Sequence, residues 1–99
     1  ELAHNAAPLH YTVTAEVDVT EFFEQIRGED SPELRYCQES ATFQHREACE
    51  FLVHIGTDDA PEYPEYVIAE MKKAGCRPGF IALYEEAVDA GAVRIIFYA

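Results

Sequence analysis

Residues 9–26, LHYTVTAEVDVTEFFEQI, change their period part-way along. From Leu9 to Val19 the apolar residues Leu9, Tyr11, Val13, Ala15, Val17 and Val19 alternate with His10, Thr12, Thr14, Glu16 and Asp18. This two-residue period is that of a strand with one buried face. From Val19 onward the apolar positions are Val19, Phe22, Phe23 and Ile26, a helical spacing. Asp18 or Thr20 offers an N-cap and Gly28 a stop, so the predicted helix is short, about two turns.

Beyond the turn-like GEDSP stretch, residues 34–43 are rich in β-prone side chains but poorly patterned. They are read as a second strand, although Ser31-Pro32 would equally open a helical turn. Residues 48–55, ACEFLVHI, form a short apolar run that predicts an interior strand, joined to the second by a hairpin through His45 to Glu47. Gly56 and the polar TDDAP loop close it.

A helix is expected next, with Asp58 and Asp59 as caps, Pro61 and Pro64 in the first turn, Val67, Ile68, Met71 and Ala74 as its apolar face, and Gly75 as its end. Pro78 opens another, whose Phe80, Leu83, Tyr84, Ala87 and Val88 share one face and which stops at Gly91. A last strand runs from Ala92 to Tyr98. The order β-α-β-β-α-α-β predicts an α+β, ferredoxin-like split β-α-β sandwich. Its antiparallel sheet would have the order 4-1-3-2, with the helices on one face. That fold serves many unrelated activities, so it selects none.

The 99 residues fit one domain, with residues 1–7 expected to be flexible or foreign to it. Nineteen Asp and Glu against seven Lys and Arg give a net charge of -12. Such a field repels phosphate backbones and anionic lipid, and no basic cluster larger than Lys72, Lys73 and Arg77 offsets it. Direct binding of nucleic acid or membrane is therefore not expected, and a basic partner is. Cys37, Cys49 and Cys76 are odd in number, lack CxxC spacing and lie among apolar residues, which points to buried thiols in a reducing cytoplasm. No apolar run reaches the roughly 18 residues that span a bilayer, and the first residues do not have the character of a signal peptide.

The acidic residues form the leading constellation. Glu21 and Glu24 oppose the apolar stripe of the first helix, and Glu85, Glu86 and Asp89 that of the last. Asp58, Asp59, Glu62 and Glu65 add carboxylates from the loop and helix between, beside Tyr63 and Tyr66, which would serve as aromatic anchors. Carboxylates spaced like phosphates would imitate a nucleic-acid backbone. The function this implies is a non-enzymatic inhibitor of the anti-restriction or anti-CRISPR type, blocking a nuclease or other basic nucleic-acid-binding protein. The plainer alternative is a set of solvated faces that keep the chain soluble.

Two further classes stand beside it. In the expected sheet the first strand adjoins the third, so His10 and His54 would approach one another, with Asp58 or Asp59 near enough to complete a metal or general-base site. The spacing matches no metal motif, and no cofactor is expected. Leu52, Ile96 and Tyr98, among Thr12, Thr14, Glu16 and Arg94, would lie on the uncovered sheet face, where a homodimeric ligand-sensing or regulatory domain would pair. Cysteine chemistry has one candidate, Cys76, between Lys73 and Arg77 just before a helix. Glycine-rich phosphate loops and the GxSxG, HExxH, CxxC and EF-hand patterns are all missing.

Overall fold

The computed structural model describes residues 12–41, 43–45, 49–56 and 62–99. Strand β1 (Thr14–Asp18) leads into a buried Val19 and then α1 (Thr20–Phe23), a single turn. Asp18 Oδ1 accepts from the Thr20 amide at 2.9 Å and from its hydroxyl at 2.6 Å, which starts the turn and holds the Asp18 carboxyl below its usual range. The helix is half its expected length. Ile26 and Glu29 exchange backbone hydrogen bonds of 2.9 and 3.0 Å around Arg27 and Gly28, whose φ values are 55° and 81°. Two left-handed residues in succession make a tight reversal, and it carries Ile26 out into solvent.

Residues 34–40 are not a strand. Helix α2 spans Pro32–Ser40, because Ser31 Oγ accepts from the Leu34 amide at 3.1 Å and Pro32 supplies a preset first-turn φ. Glu33, Tyr36 and Cys37 then fall on the inward face. The second strand is the short β2 (Phe43–His45), paired with β3 (Glu50–His54). Helix α3 (Tyr63–Ala74) ends at Gly75, whose φ of 91° is the left-handed conformation a C-cap needs. Helix α4 (Pro78–Asp89) and β4 (Arg94–Tyr98) complete the chain.

The sheet is mixed, with order β1-β4-β3-β2. β1 runs parallel to β4, with Thr14 opposite Arg94 and Asp18 opposite Tyr98; β3 runs antiparallel to β4, with Glu50 opposite Tyr98 and His54 opposite Arg94. The expected 4-1-3-2 antiparallel order thus has its first and last strands exchanged. The reason is composition: β4 carries apolar side chains toward both faces, with Ile95 and Phe97 buried and Ile96 half-buried, whereas β1 alternates with Thr14, Glu16 and Asp18 and tolerates an edge.

The helices cover one face, as expected. Phe80 of α4 stacks on Phe97 of β4 at 4.5 Å between centroids, and Phe23 meets Phe51 of β3 edge-on at 5.7 Å. Tyr84, fully buried, donates its hydroxyl to the His54 carbonyl at 3.1 Å. On the other face three cross-strand rows follow from the register: Thr14, Arg94, His54; Glu16, Ile96, Leu52; Asp18, Tyr98, Glu50.

One charged contact ties the helical layer together. Glu33, fully buried, accepts from the Arg77 amide at 2.6 Å, from its Nε at 3.0 Å and from its Nη2 at 3.0 Å. Arg77 Nη2 also donates to the Phe22 carbonyl at 3.2 Å, and its guanidinium lies 5.1 Å from the Phe22 ring centre. The ring reaches this position because Gly79 has no Cβ; one there would stand 3.2 Å from Phe22 Cζ.

Burial alone would raise the Glu33 pKa, but the Arg77 hydrogen bonds outweigh it and hold the value below the ordinary 4.5. A lowered folded-state pKa adds stability that is complete above the unfolded value and disappears as pH falls through the folded one. Glu33→Gln is therefore expected to lose about 2 kcal/mol at neutral pH. In urea melts at a series of pH values, the gap from the parent should close as pH drops below the carboxylate range. A gap independent of pH would show that the charge contributes nothing.

Candidate functional site

Helices α3 and α4 leave a groove of about 430 Å3 between them. Half-buried Pro64, Ile68 and Val88 form its floor, and exposed Glu65, Glu85 and Asp89 its rim. The grouping follows from helical geometry. Glu85 and Asp89 are four residues apart and so share a flank of α4, while Pro64, Glu65 and Ile68 share the facing flank of α3. An apolar floor bordered by carboxylates is chemistry that suits a side chain of methylenes ending in a cationic head.

Among the described residues, these carboxylates have no cationic partner. The ion pair found among the described residues is Glu33 with Arg77, away from the groove. Their placement also runs against helix electrostatics. α4 has no acidic residue in its first turn and no basic one in its last, yet Glu85, Glu86 and Asp89 crowd its C-terminal half, where the helix dipole is negative. α3 follows the favourable pattern, with Glu65 in its first turn and Lys72 and Lys73 in its last.

The other candidates are distributed elsewhere. Glu86 is exposed but lies on the opposite flank of α4, beside a cleft lined by Ala15, Val17 and Leu83. Glu21 and Glu24 are exposed at the far end of α4, because α1 packs through Phe22 on Phe80, and Glu21 lies close enough to Arg77 to favour its charge. Glu24 follows the last residue of α1, so the two do not form one helical face. Glu62 is exposed just before α3. Tyr63 and Tyr66 have rings 6.3 Å apart, but they line a cavity on the other flank of α3 with Tyr36 and Glu70, not the groove. Asp58 and Asp59 lie outside the described residues.

The histidine reading loses its geometric basis. β4 lies between β1 and β3, so the neighbouring strands that were to bring His10 to His54 are not neighbours. His10 itself lies outside the described residues, and among those described no three His, Cys, Asp or Glu side chains gather as metal ligands.

Of the three thiols, Cys37 and Cys76 are buried as expected, and the placement of Cys49 is corrected. Cys49 is not inside a strand; it precedes β3 in a turn, half-buried, with φ at 49°. Cys76 is buried, and burial together with the Glu33 carboxylate pushes its thiol up to about 12. Arg77, the next residue in the chain, has its guanidinium committed to Glu33. Cys37 is raised likewise by burial first, then by the nearby Cys76.

Sequence reasoning missed the internal carboxylate. Glu33 was not among the candidate acids, although its position after Ser31-Pro32 at a helix start was a readable sign of a first-turn role. No protein-family model matches this chain, and searches of curated proteins and of solved structures return no match.

If α4 carries its acids against the dipole, removing one should stabilise the fold. Asp89→Lys is expected to gain about 0.5 kcal/mol in a denaturant melt, since a cation near a helix C-terminus is favourable and the Glu85 repulsion disappears. A loss of stability would show that Asp89 has a structural role.

Proposed function

We propose that this chain is a non-enzymatic acidic binding protein that docks on a basic, nucleic-acid-binding partner and blocks it as a mimic of the phosphate backbone. The observation that carries this reading is the groove rimmed by Glu65, Glu85 and Asp89. These three carboxylates are exposed, have no cationic partner among the described residues, and border an apolar floor. With a net charge of -12, the whole chain steers cations toward it and anions away. The anti-restriction or anti-CRISPR type of inhibitor is the form of this function that the charge favours. The three free thiols suit a reducing compartment such as the cytoplasm.

A second reading, a homodimeric regulatory domain, is favoured by the open sheet face. There Leu52 and Ile96 are half-buried, Tyr98 is 37% exposed, and Arg94 Nε is buried with no acceptor among the described residues. Sedimentation at several concentrations separates the two readings, since the mimic requires no dimer.

The leading reading is tested with a fluorescent arginine-rich peptide bound to a DNA oligonucleotide. The protein is expected to bind the peptide and release the DNA, with affinity falling steeply as salt rises. Combined Glu65→Lys, Glu85→Lys and Asp89→Lys should weaken binding by at least about tenfold, whereas Glu21→Lys with Glu24→Lys should cost less. Equal losses from the two sets, or peptide binding that leaves the DNA in place, would sink the mimic.

A further inference from the structure

The face of the sheet opposite the helices carries its charges at its two ends. In the register, Thr14, Arg94 and His54 form one row, Glu16, Ile96 and Leu52 the next, and Asp18, Tyr98 and Glu50 the third. Among these residues Arg94 is the one arginine or lysine, and Asp18 and Glu50 stand at the other end from it. Successive rows are about 7 Å apart along the strands, so about 13 Å separates Arg94 from those two carboxylates. The middle row supplies two adjoining apolar side chains, the half-buried Ile96 and Leu52.

Arg94 is incomplete within one chain. Its Nε is buried without a hydrogen-bond partner, and its guanidinium forms no ion pair among the described residues. A buried donor left unpaired carries a desolvation cost, and in a native fold it calls for an explanation. At the far end of β4 the part-exposed ring of Tyr98 lies between Asp18 and Glu50. An aromatic ring flanked by two carboxylates suits a guanidinium. The cation and these acceptors share one face, and the length of β4 keeps them apart in a single chain.

On the second reading above, on which this rests, the chain pairs with itself; we propose that it does so through this face, about a two-fold axis lying across the strands, so that each Arg94 meets Asp18, Tyr98 and Glu50 of the other copy. Two identical faces can meet only about an axis in the plane between them, and the charges choose its direction. An axis across the strands through the Ile96 row reverses the order of the rows. The Arg94 row then lies on the Asp18–Glu50 row twice over, and Ile96 and Leu52 meet their own counterparts. Arg94 extends from its own sheet, and the carboxylates supply the acceptors that its guanidinium, Nε included, does not have alone. The other aligned arrangement, with the axis along the strands, sets Arg94 on Arg94 and Asp18 on Glu50. In the favoured one the like-charge contact is Glu16 with its counterpart, exposed on the edge strand β1 where water screens it. The sheet spans only about 16 by 19 Å, so the pair belongs with small, transient interfaces and not with obligate ones.

The test combines association with rescue in the full chain. In sedimentation velocity the parent should dimerise as concentration rises. Arg94→Glu and Glu50→Arg should each raise the dimer dissociation constant by at least about tenfold, and an equimolar mixture of the two should recover association, because each mixed pair sets arginine against glutamate at both ends. Relief of overall negative charge predicts the opposite for Glu50→Arg, a tighter dimer. Isotope-filtered NOEs in a mixed-label sample of the parent need no substitution, and should join Arg94 of one copy to Tyr98 of the other and Ile96 to Ile96. A parent that stays monomeric overturns the second reading and this arrangement together. A dimer joined by other NOEs, or a mixture of folded variants that associates no better than its components, keeps that reading and overturns the arrangement. NOEs to Ile96 and Tyr98 from elsewhere in the same chain, persisting on dilution, would show the face already covered and would also overturn it.

Discussion

A single buried carboxylate sets the arrangement of the helices. Glu33 lies in the first turn of α2, where the helix dipole favours a negative charge, and it receives three hydrogen bonds from Arg77 at the turn between α3 and α4. Arg77 in turn reaches the Phe22 carbonyl of α1. Three separate helical elements therefore meet at one ion pair. A carboxylate so placed would be costly if left bare, and the number of donors around it makes the site tolerable only when all three elements are in position. The contact is better understood as specifying the packing than as a large source of net stability. Hydrophobic contact, above all Phe80 on Phe97 and Phe23 on Phe51, supplies the driving force.

The position of α4 follows from that anchor. Its first residues are fixed by Arg77 and by the Phe22 ring against Gly79, and its middle by Tyr84 against the His54 carbonyl. Its C-terminal half then lies beside the start of α3, which creates the groove at Glu65, Glu85 and Asp89. The Glu33–Arg77 pair is neutral within itself, so the net charge of -12 belongs to the rest of the chain.

Much of this was legible in the sequence, and the failures have physical causes. Strands β1, β3 and β4 and helices α3 and α4 were readable because alternation or three-four spacing, together with proline starts and glycine stops, agreed over each segment. The parity of β4 was not readable, since Ile95, Ile96 and Phe97 are all apolar; the fold buries Ile95 and Phe97 and leaves Ile96 half-buried. α2 was misread because Leu34, Tyr36, Cys37 and Phe43 are acceptable in either structure, and a capping serine decided between them. Strand order is not encoded in periodicity; it emerged from which strand had two apolar faces to bury. The carboxylates at the groove's rim were all among the candidate acids, but their division from Glu86 and from Tyr63 and Tyr66 is a matter of helical angle, about 100° per residue, applied to neighbouring positions.

The strongest reason to treat the acids of α4 as more than a solubilising surface is their position along the helix. Solubility needs negative charge somewhere, and the first turn of α4, which has none, would accept it at no electrostatic cost. Instead Glu85, Glu86 and Asp89 occupy the end where the dipole opposes them, and Glu85 and Asp89 repel each other across one turn, a penalty of about 0.2–0.5 kcal/mol for such a pair. α3, in the same protein and packed alongside, has its charges the favourable way round. A sequence that satisfies this rule in one helix and breaks it in the next, at the rim of an apolar-floored groove, is a pattern that the proposed docking of a cationic partner would account for.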